Sequence, residues 1–152
     1  MRRKEKEITE KSEIEAIIIK STVCRLGLSD GDMPYILPLC FGYKEGAIYL
    51  HSALKGMKID ILRKNKNVCF EFDADIELKK ADKPCDWGMK FQSVIGFGRA
   101  FFLESPEEKR DALDIIMRQY SDKAFEFTDN SVNGIAVIRI DIESMTGKRS
   151  GF

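Results

Sequence analysis

The sequence predicts a mainly β fold, a small antiparallel β-barrel with a few flanking helices, in a single domain that spans residues 1–152. About six segments have strand character, because they alternate apolar and polar residues or are rich in β-branched and aromatic side chains. Short connections that contain glycine join several of them, which favours antiparallel hairpins. The apolar content of 43% is ordinary for a chain that buries one core.

The first predicted element is a helix from Glu13 to Lys20. Ser12 and Glu15 have the spacing of a capping box at its start. Three isoleucines share the face that is expected to pack on the domain: Ile14, Ile17 and Ile18.

Three strand-like runs follow, TVCRLGLS, PYILPLCFGY and AIYLHS, and their short connections predict an antiparallel meander. Pro38 lies inside the second run and has no backbone N–H to donate. Its strand is therefore expected at an edge of the sheet, or interrupted by a bulge.

The middle of the chain continues with a predicted helix from Met57 to Lys64, the strand NVCFEFDAD and a polar connection from Ile76 to Pro84. The next run, FQSVIGFGRAFFLE, has the pattern of a long strand. Its Gly96 and Gly98 indicate a bend or a close backbone approach. A final run, GIAVIRIDIE, closes the predicted sheet.

The segment SPEEKRDALDIIMRQY carries the clearest helix signals in the chain. Ser105 is the expected N-cap, Pro106 suits the first helical position, and Glu108 completes a capping box. Four residues form one apolar stripe that is assigned to the core: Leu113, Ile116, Met117 and Tyr120.

Composition excludes several classes of function. Lys plus Arg and Asp plus Glu both number 25, so no excess of positive charge drives binding to nucleic acid. No apolar run approaches the length that spans a bilayer, and the basic start MRRKEKE lacks the apolar stretch of a signal peptide. We therefore expect a cytoplasmic protein that binds neither nucleic acid nor a membrane.

The four cysteines are widely spaced and form no C-x-x-C pair, so neither a metal site nor a dithiol redox motif is predicted. Cys24, Cys40 and Cys69 lie in apolar segments and are interpreted as reduced, buried thiols. The environment of Cys85 is left open.

The stretch IYLHSALKGMKIDIL brings together groups that bind anions. It holds the only histidine, His51, followed by Ser52, and Lys58 stands two residues after a glycine at the predicted helix start. Hydroxyl, ammonium and free N–H groups at a helix start suit a phosphate. The alternative, a solvated lysine loop with a surface histidine, fits the charge pattern equally well.

Trp87, the only tryptophan, lies in a polar loop before the long strand that contains the two glycines. Large aromatic side chains outside periodic segments often cover a ligand or a partner subunit. The alternative is that Trp87 plugs one end of the barrel.

Four stretches together resemble the nitroimidazole-resistance branch of the pyridoxamine-5′-phosphate-oxidase-like flavoproteins: CRLGLSDGDMPYILPLCFGY, IYLHSALKGMKIDIL, NVCFEF and CDWGMKFQSVIGFGRA. The resemblance runs from about Val23 to Ala100, and the later helix and last strand follow in the expected order. It implies an FMN-binding split β-barrel of antiparallel Greek-key type, with FMN held at a homodimer interface.

The resemblance also implies which residues contact the cofactor. Ser52 and Lys58 fall where the family contacts the flavin phosphate, and His51 matches a histidine near the cofactor. Trp87 and Ser93 would come from a neighbouring region, with the second subunit as a candidate source. The backbone around three residues falls where the family lines the flavin ring: Pro38, Leu39 and Phe41.

Two function hypotheses follow from these residues and this resemblance. The first is an FMN-dependent oxidoreductase that takes electrons from a reduced nicotinamide or another small-molecule donor and passes them to a small electrophile, such as a nitroaromatic. His51 is then the candidate catalytic proton donor, since imidazole groups titrate near neutral pH. The second is a non-catalytic flavin- or haem-binding module, with His51 as a conceivable haem ligand.

Overall fold

A computed structural model describes residues 3–152 of the chain. Within this range eight strands form one sheet, and four α-helices pack around it. The strands are β1 (Glu7–Ile8), β2 (Cys24–Asp30), β3 (Met33–Leu39), β4 (Gly42–Lys44), β5 (Ala47–Ala53), β6 (Asn67–Lys79), β7 (Gly88–Leu103) and β8 (Ile135–Ser150). The helices are α1 (Lys11–Lys20), α2 (Met57–Lys64), α3 (Pro106–Arg118) and α4 (Asp129–Asn133).

The sheet follows the order β3-β2-β6-β7-β8-β5-β4, and β1 pairs with the end of β8. All of these neighbouring strands are antiparallel. β2 lies beside β6 and β5 lies beside β8, so strands far apart in the chain become neighbours, as in Greek-key connectivity. The predicted mainly β, antiparallel fold with a few flanking helices is confirmed.

The main hydrophobic core lies on one side of the curved sheet. The ring centroids of Phe41 and Phe72 are 4.7 Å apart, and those of Phe70 and Phe72 are 5.8 Å apart. Such aromatic pairs stabilise a core beyond the apolar area that they bury. Helices α1 and α2 close the core with buried aliphatic side chains: Ile14, Ile17, Ile18, Ile59, Ile61 and Leu62.

Gly96 and Gly98 of β7 lie where other parts of the chain come very close, as predicted. A Cβ atom at position 96 would lie 2.6 Å from the carbonyl oxygen of Ser144, and closer still to the ring of Phe70. A Cβ atom at position 98 would overlap the carbonyl oxygen of Asp141. Glycine is therefore required for β7 to pack this tightly against β8 and the core.

The three strand-like runs do not form the predicted meander. The second run divides at Cys40 and Phe41 into β3 and β4, which end at opposite edges of the strand order. Among the strands of residues 3–152, β3 pairs with β2 alone, whereas β4 pairs with β5. β3 and β4 are separated because β2 pairs with β6 and β5 pairs with β8. These pairs join residues that are far apart in the sequence, so a local pattern does not reveal them. Pro38 does lie on an edge strand, β3, as predicted.

Two local predictions are also wrong. α1 begins at Lys11, so Ser12 lies inside the helix, and Glu10 precedes the helix without a side-chain capping bond. Residues 76–79, predicted as part of a polar connection, continue β6 beyond an irregularity between Ala74 and Glu77. They form a strand because β7 begins as early as Gly88 and supplies a partner.

The other two predicted helices are present, with one change. α2 spans Met57–Lys64 as predicted, and α3 begins after Ser105, whose hydroxyl oxygen accepts a hydrogen bond from the Glu108 N–H. Tyr120 lies beyond the end of α3 and is 42% exposed, so it is not part of the buried stripe. No helix in residues 3–152 is long and apolar enough to cross a bilayer.

The cysteines are all free, and they differ in exposure. Cys24 is buried, as predicted, and Cys69 is half-buried. Cys40 is exposed, which corrects the prediction, because the chain leaves the sheet at this residue. Cys85 is also exposed.

Candidate functional site

A gap opens in the sheet between the ends of β3 and β5. The pairing of β4 with β5 stops at Gly42 and Tyr49. Beyond this point β5 pairs with β8 on one side, and no strand of residues 3–152 covers its other side. Leu39, the last residue of β3, is three residues from Gly42 and so within about 11 Å of it. We call this gap the split, bounded by residues 38–41 and 50–53.

His51 and Ser52 project to opposite faces of β5. Ile48 and Leu50 are fully buried, and Ser52 shares their core-facing side because side chains alternate along a strand. Ser52 is half-buried, whereas His51 is exposed on the outer face. Their neighbours on β8 are Ala136 for Ser52 and Val137 for His51. These two predicted site residues therefore approach the split from different sides.

The start of α2 carries the groups that were predicted to bind a phosphate. Gly56 precedes the helix with a φ of 131°, a conformation that favours glycine. The first backbone N–H groups of α2 have no partner within the helix, as at any helix start. α2 contributes Ile59 and Leu62 to the main core, so it covers the core-facing side of the sheet, the side of Ser52.

Lys58, in the first turn of α2, is half-buried. Burial lowers the pKa of its ammonium group, and no carboxylate in residues 3–152 offsets this effect. A partly desolvated cation without an anionic partner is destabilised unless a negative group binds to it. A phosphate at this place would supply that group, so the residues at the start of α2 fit the phosphate end of a flavin nucleotide.

The segment from Pro38 to Phe41 forms the other side of the split. Pro38 is exposed on the edge strand, and Leu39 lies half-buried opposite Cys24. The Phe41 ring is fully buried, and its backbone N–H donates a hydrogen bond to Tyr120 Oη at 3.0 Å. Phe41 can therefore contribute only main-chain surface to a ligand in the split.

Trp87 and Ser93 are not brought to the split of the same chain. Trp87 is 47% exposed in the turn between β6 and β7, where its Nε1–H donates to the carbonyl oxygen of Ala81 at 2.6 Å. This position rules out the alternative of a plug in the barrel. Ser93 pairs with Lys148, which is twelve residues, roughly 40 Å, along β8 from the partner of Ser52. Trp87 and Ser93 therefore belong to the opposite end of the β7–β8 pair from the neighbour of Ser52.

A cavity of about 280 Å³ borders the end of β5, and the sequence did not point to it. It contains Lys109, which is 9% exposed and whose Nζ donates to the carbonyl oxygens of Ile135 at 3.0 Å and Val132 at 3.4 Å. Its volume lies just below the roughly 300–1,000 Å³ of typical ligand pockets. In the sequence, the two cations of this cavity, Arg63 and Lys109, have the spacing of solvent-exposed positions on helices, so they gave no signal of a cavity. The cavity is lined by Leu54, Arg63, Phe102, Leu103, Glu104, Lys109, Ala136 and Val137.

Comparison with known proteins identifies the family of the chain. The sequence model of the family described as pyridoxamine 5′-phosphate oxidase matches residues 10–149. A solved structure from Bacteroides thetaiotaomicron, of a protein proposed to confer 5-nitroimidazole antibiotic resistance, is 38% identical. Its TM-score is 0.84, and the match covers 93% of this chain and 85% of that one. A comparison with curated protein sequences found no match.

Two more distant structures share the fold. A flavocytochrome from Azotobacter vinelandii is 17% identical, with a TM-score of 0.86 over 100% of this chain and 72% of that one. An FAD and haem binding protein from Mycobacterium smegmatis is 14% identical, with a TM-score of 0.87 over 97% and 74% of the two chains. The chain therefore belongs to the pyridoxamine 5′-phosphate oxidase family, on the branch of the nitroimidazole-resistance proteins, and has the split-barrel fold.

Proposed function

We propose that the chain binds FMN in the split and acts as an oxidoreductase. In this proposal it transfers electrons from a reduced nicotinamide or another donor to a small electrophile such as a nitroaromatic. The observation that carries the proposal is Lys58, at the start of a helix beside the split, which is a half-buried cation that no carboxylate of residues 3–152 offsets. Membership of the family and the likeness to the protein proposed to act in 5-nitroimidazole resistance support the oxidoreductase class.

The phosphate end of the cofactor is assigned to the core-facing side of β5. Ser52 offers a hydroxyl donor, and the first N–H groups of α2 offer further donors next to the positive end of the helix dipole. Lys58 adds a charge-assisted contact. These three kinds of donor are those that a phosphate dianion prefers.

The ring end of the cofactor is assigned to the backbone of residues 38–41. Pro38 has no N–H, and the N–H of Phe41 is already bonded to Tyr120. Any backbone donor to the ring therefore comes from Leu39 or Cys40. A bound flavin supplies the electron transfer chemistry, and the chain supplies binding, orientation and protons.

His51 is assigned to proton transfer because it is exposed on the outer face of β5, away from the phosphate groups. Its neighbour Val137 is apolar, so the imidazole has no charged cross-strand partner on β8. Replacement of His51 by alanine should retain FMN binding and lower turnover by about a hundredfold, the lower end of general acid catalysis. Unchanged turnover across neutral pH would remove His51 from the mechanism.

We also propose a homodimer in which Trp87 and Ser93 of one copy reach the split of the other. Apolar side chains exposed outside the core support a partner: Ile36, Ile76, Leu78, Trp87, Met89, Ile95 and Phe97. The uncovered edge of β3 is a second reason, since open strand edges favour association. Sedimentation that shows a monomer with FMN tightly bound would contradict a shared site.

The phosphate assignment is tested with Lys58→Ala and two ligands. FMN and riboflavin share the ring, but only FMN has the phosphate. Loss of a charge-assisted contact of about 1.5–3 kcal/mol lowers FMN affinity roughly tenfold or more and leaves riboflavin affinity unchanged. Lys64→Ala, at the other end of α2 where the lysine pairs with Asp30 at 3.5 Å, is the matched control and should change neither affinity.

Equal losses for FMN and riboflavin in the Lys58 variant would contradict the phosphate site. Oxidation of a reduced nicotinamide by the FMN-loaded protein, measured with a panel of small acceptors, tests the oxidoreductase class. No turnover with any acceptor would favour the non-catalytic module, and a haem absorption band in the purified protein would replace FMN by haem as the ligand.

A further inference from the structure

The chain crosses from β3 to β4 through Cys40 and Phe41, which belong to no strand. The crossing lies directly against α3. A Cβ atom at position 42 would lie 2.6 Å from the carbonyl carbon and oxygen of Ile115, so Gly42 touches the backbone of the helix. Because no strand ladder holds the crossing, its position depends on this helix.

Tyr120, two residues after the end of α3, makes the second contact with the crossing. Its hydroxyl oxygen accepts a hydrogen bond from the Phe41 N–H at 3.0 Å, and the hydroxyl donates to the carbonyl oxygen of Thr22 at 3.0 Å. The Tyr120 ring also meets the Phe41 ring edge to face, with centroids 6.5 Å apart. One side chain therefore joins the end of α3, the crossing and the residues before β2.

The hydroxyl of Tyr120 stays protonated at neutral pH, since burial raises the pKa of Tyr120 to about 12. It is therefore able to donate and accept at the same time. The adjacent Gln119 strengthens the same joint, because its Nε2 donates to the carbonyl oxygens of Ile19 at 2.8 Å and Ser21 at 3.0 Å. The end of α3 thus has a defined place relative to the crossing.

We propose that Tyr120 is a positioning residue of the split, which holds the backbone of Leu39, Cys40 and Phe41 at the place where it lines the ring of the cofactor. The inference rests on the proposed binding of FMN. It adds a residue that lies outside both the stretch IYLHSALKGMKIDIL and the phosphate site at the start of α2. Because Tyr120 accepts the hydrogen bond of the Phe41 N–H, this N–H is not available to the ring of the cofactor. Displacement of binding groups by about 1 Å is enough to weaken a precisely oriented complex.

The test is Tyr120→Phe, which keeps the ring and removes the hydroxyl. It deletes two hydrogen bonds and leaves the Phe41 N–H without its partner, so we expect FMN and riboflavin to lose affinity by the same factor, about tenfold. The visible absorption of bound flavin should shift, because a free N–H then lies beside the ring. This pattern differs from that of Lys58→Ala, which affects FMN alone.

Tyr43→Phe is the matched control. The Tyr43 hydroxyl donates to Glu15 Oε1 of α1 at 2.7 Å, so this variant also loses a hydroxyl hydrogen bond, but one that does not involve Cys40 or Phe41. Both flavin affinities and the flavin spectrum should remain those of the wild type. A general loss of stability would affect both tyrosine variants, whereas a positioning role affects Tyr120→Phe alone.

Amide hydrogen exchange of the flavin-free protein gives a second measurement. The Phe41 amide should exchange faster in Tyr120→Phe than in the wild type, with the amides of β7 unchanged. Unchanged exchange at Phe41, or unchanged flavin affinities and spectrum in the variant, overturns the inference and leaves the proposed function intact. A wild-type protein that binds neither FMN nor riboflavin overturns both.

Discussion

The wall of β6, β7 and β8 and the split between β3 and β5 are held together in different ways. β7 pairs with a strand on each side over most of its length, so many backbone hydrogen bonds hold it and no single side chain does. At the split the backbone depends on individual contacts, such as that of Tyr120 with Phe41 and that of α3 with Gly42. The difference shows how this fold combines a rigid scaffold with a place that side chains can adjust to a ligand.

The largest expected effect is in the wall, at Gly96. Replacement by alanine places a methyl group against the Ser144 carbonyl oxygen and the ring of Phe70, and the paired strands leave little room to move. We expect a loss of about 3 kcal/mol in the free energy of unfolding, the upper part of the range for overpacked cores. Chemical denaturation measures it.

Gly88, the first residue of β7, is the control for Gly96, which lies in the middle of the strand. No heavy atom lies within 4 Å of a Cβ placed there. Gly88→Ala should be neutral or stabilise by about 0.5 kcal/mol, because alanine restricts the unfolded chain. Equal losses of stability in the two variants would mean that β7 tolerates no side chain at either glycine. The tight packing at Gly96 would then not be the cause of the loss.

A smaller effect on stability is expected at the split, where burial of the charged Lys58 destabilises the flavin-free protein. Since the folded pKa is lowered, the unfolded chain binds more protons between that pKa and 10.5, so stability of the flavin-free protein rises with pH in that window. Lys58→Met should remove this rise and make the flavin-free protein slightly more stable at pH 7. The gain should stay below about 1 kcal/mol, because solvent screens a half-exposed charge.

Thermal unfolding of wild type and Lys58→Met at several pH values between neutral and 10 measures this difference. Saturating FMN should reverse its sign at pH 7, since the ligand stabilises the form that binds it more tightly. A variant that is less stable than the wild type without ligand would show that Lys58 has a favourable partner within the protein.

The smallest effect concerns thiol reactivity and leaves stability unchanged. Burial raises the pKa of Cys24 to about 12, so this thiol should react with a disulfide reagent only after unfolding. Cys40 and Cys85 are exposed and should react in the folded protein. FMN should slow the reaction of Cys40, at the split, and leave that of Cys85 unchanged. Equal rates at Cys40 with and without FMN would argue against a ring beside the crossing.

The sequence predicted most elements whose signals are local, with the start of α1 as an exception. The bounds of α2, the cap at Ser105, and the alternation in β6 follow from neighbours within a few residues, and the structure agrees with them. The need for glycine at positions 96 and 98 was also visible. The division of PYILPLCFGY was not, because its residues suit a strand throughout and the break comes from pairing between strands far apart in the chain.

For the site, the sequence alone determined the chemical groups of His51, Ser52 and Lys58 and their place between a strand and a helix. It also contained the alternation that sends His51 and Ser52 to opposite faces, a consequence of the period of two along a strand. Only the tertiary structure decided that Lys58 has no carboxylate partner in the described part of the chain and that Tyr120 bonds to Phe41, 79 residues away. Such contacts depend on how separate elements pack, and packing depends on shape and burial across the whole core, which local periodicity does not record.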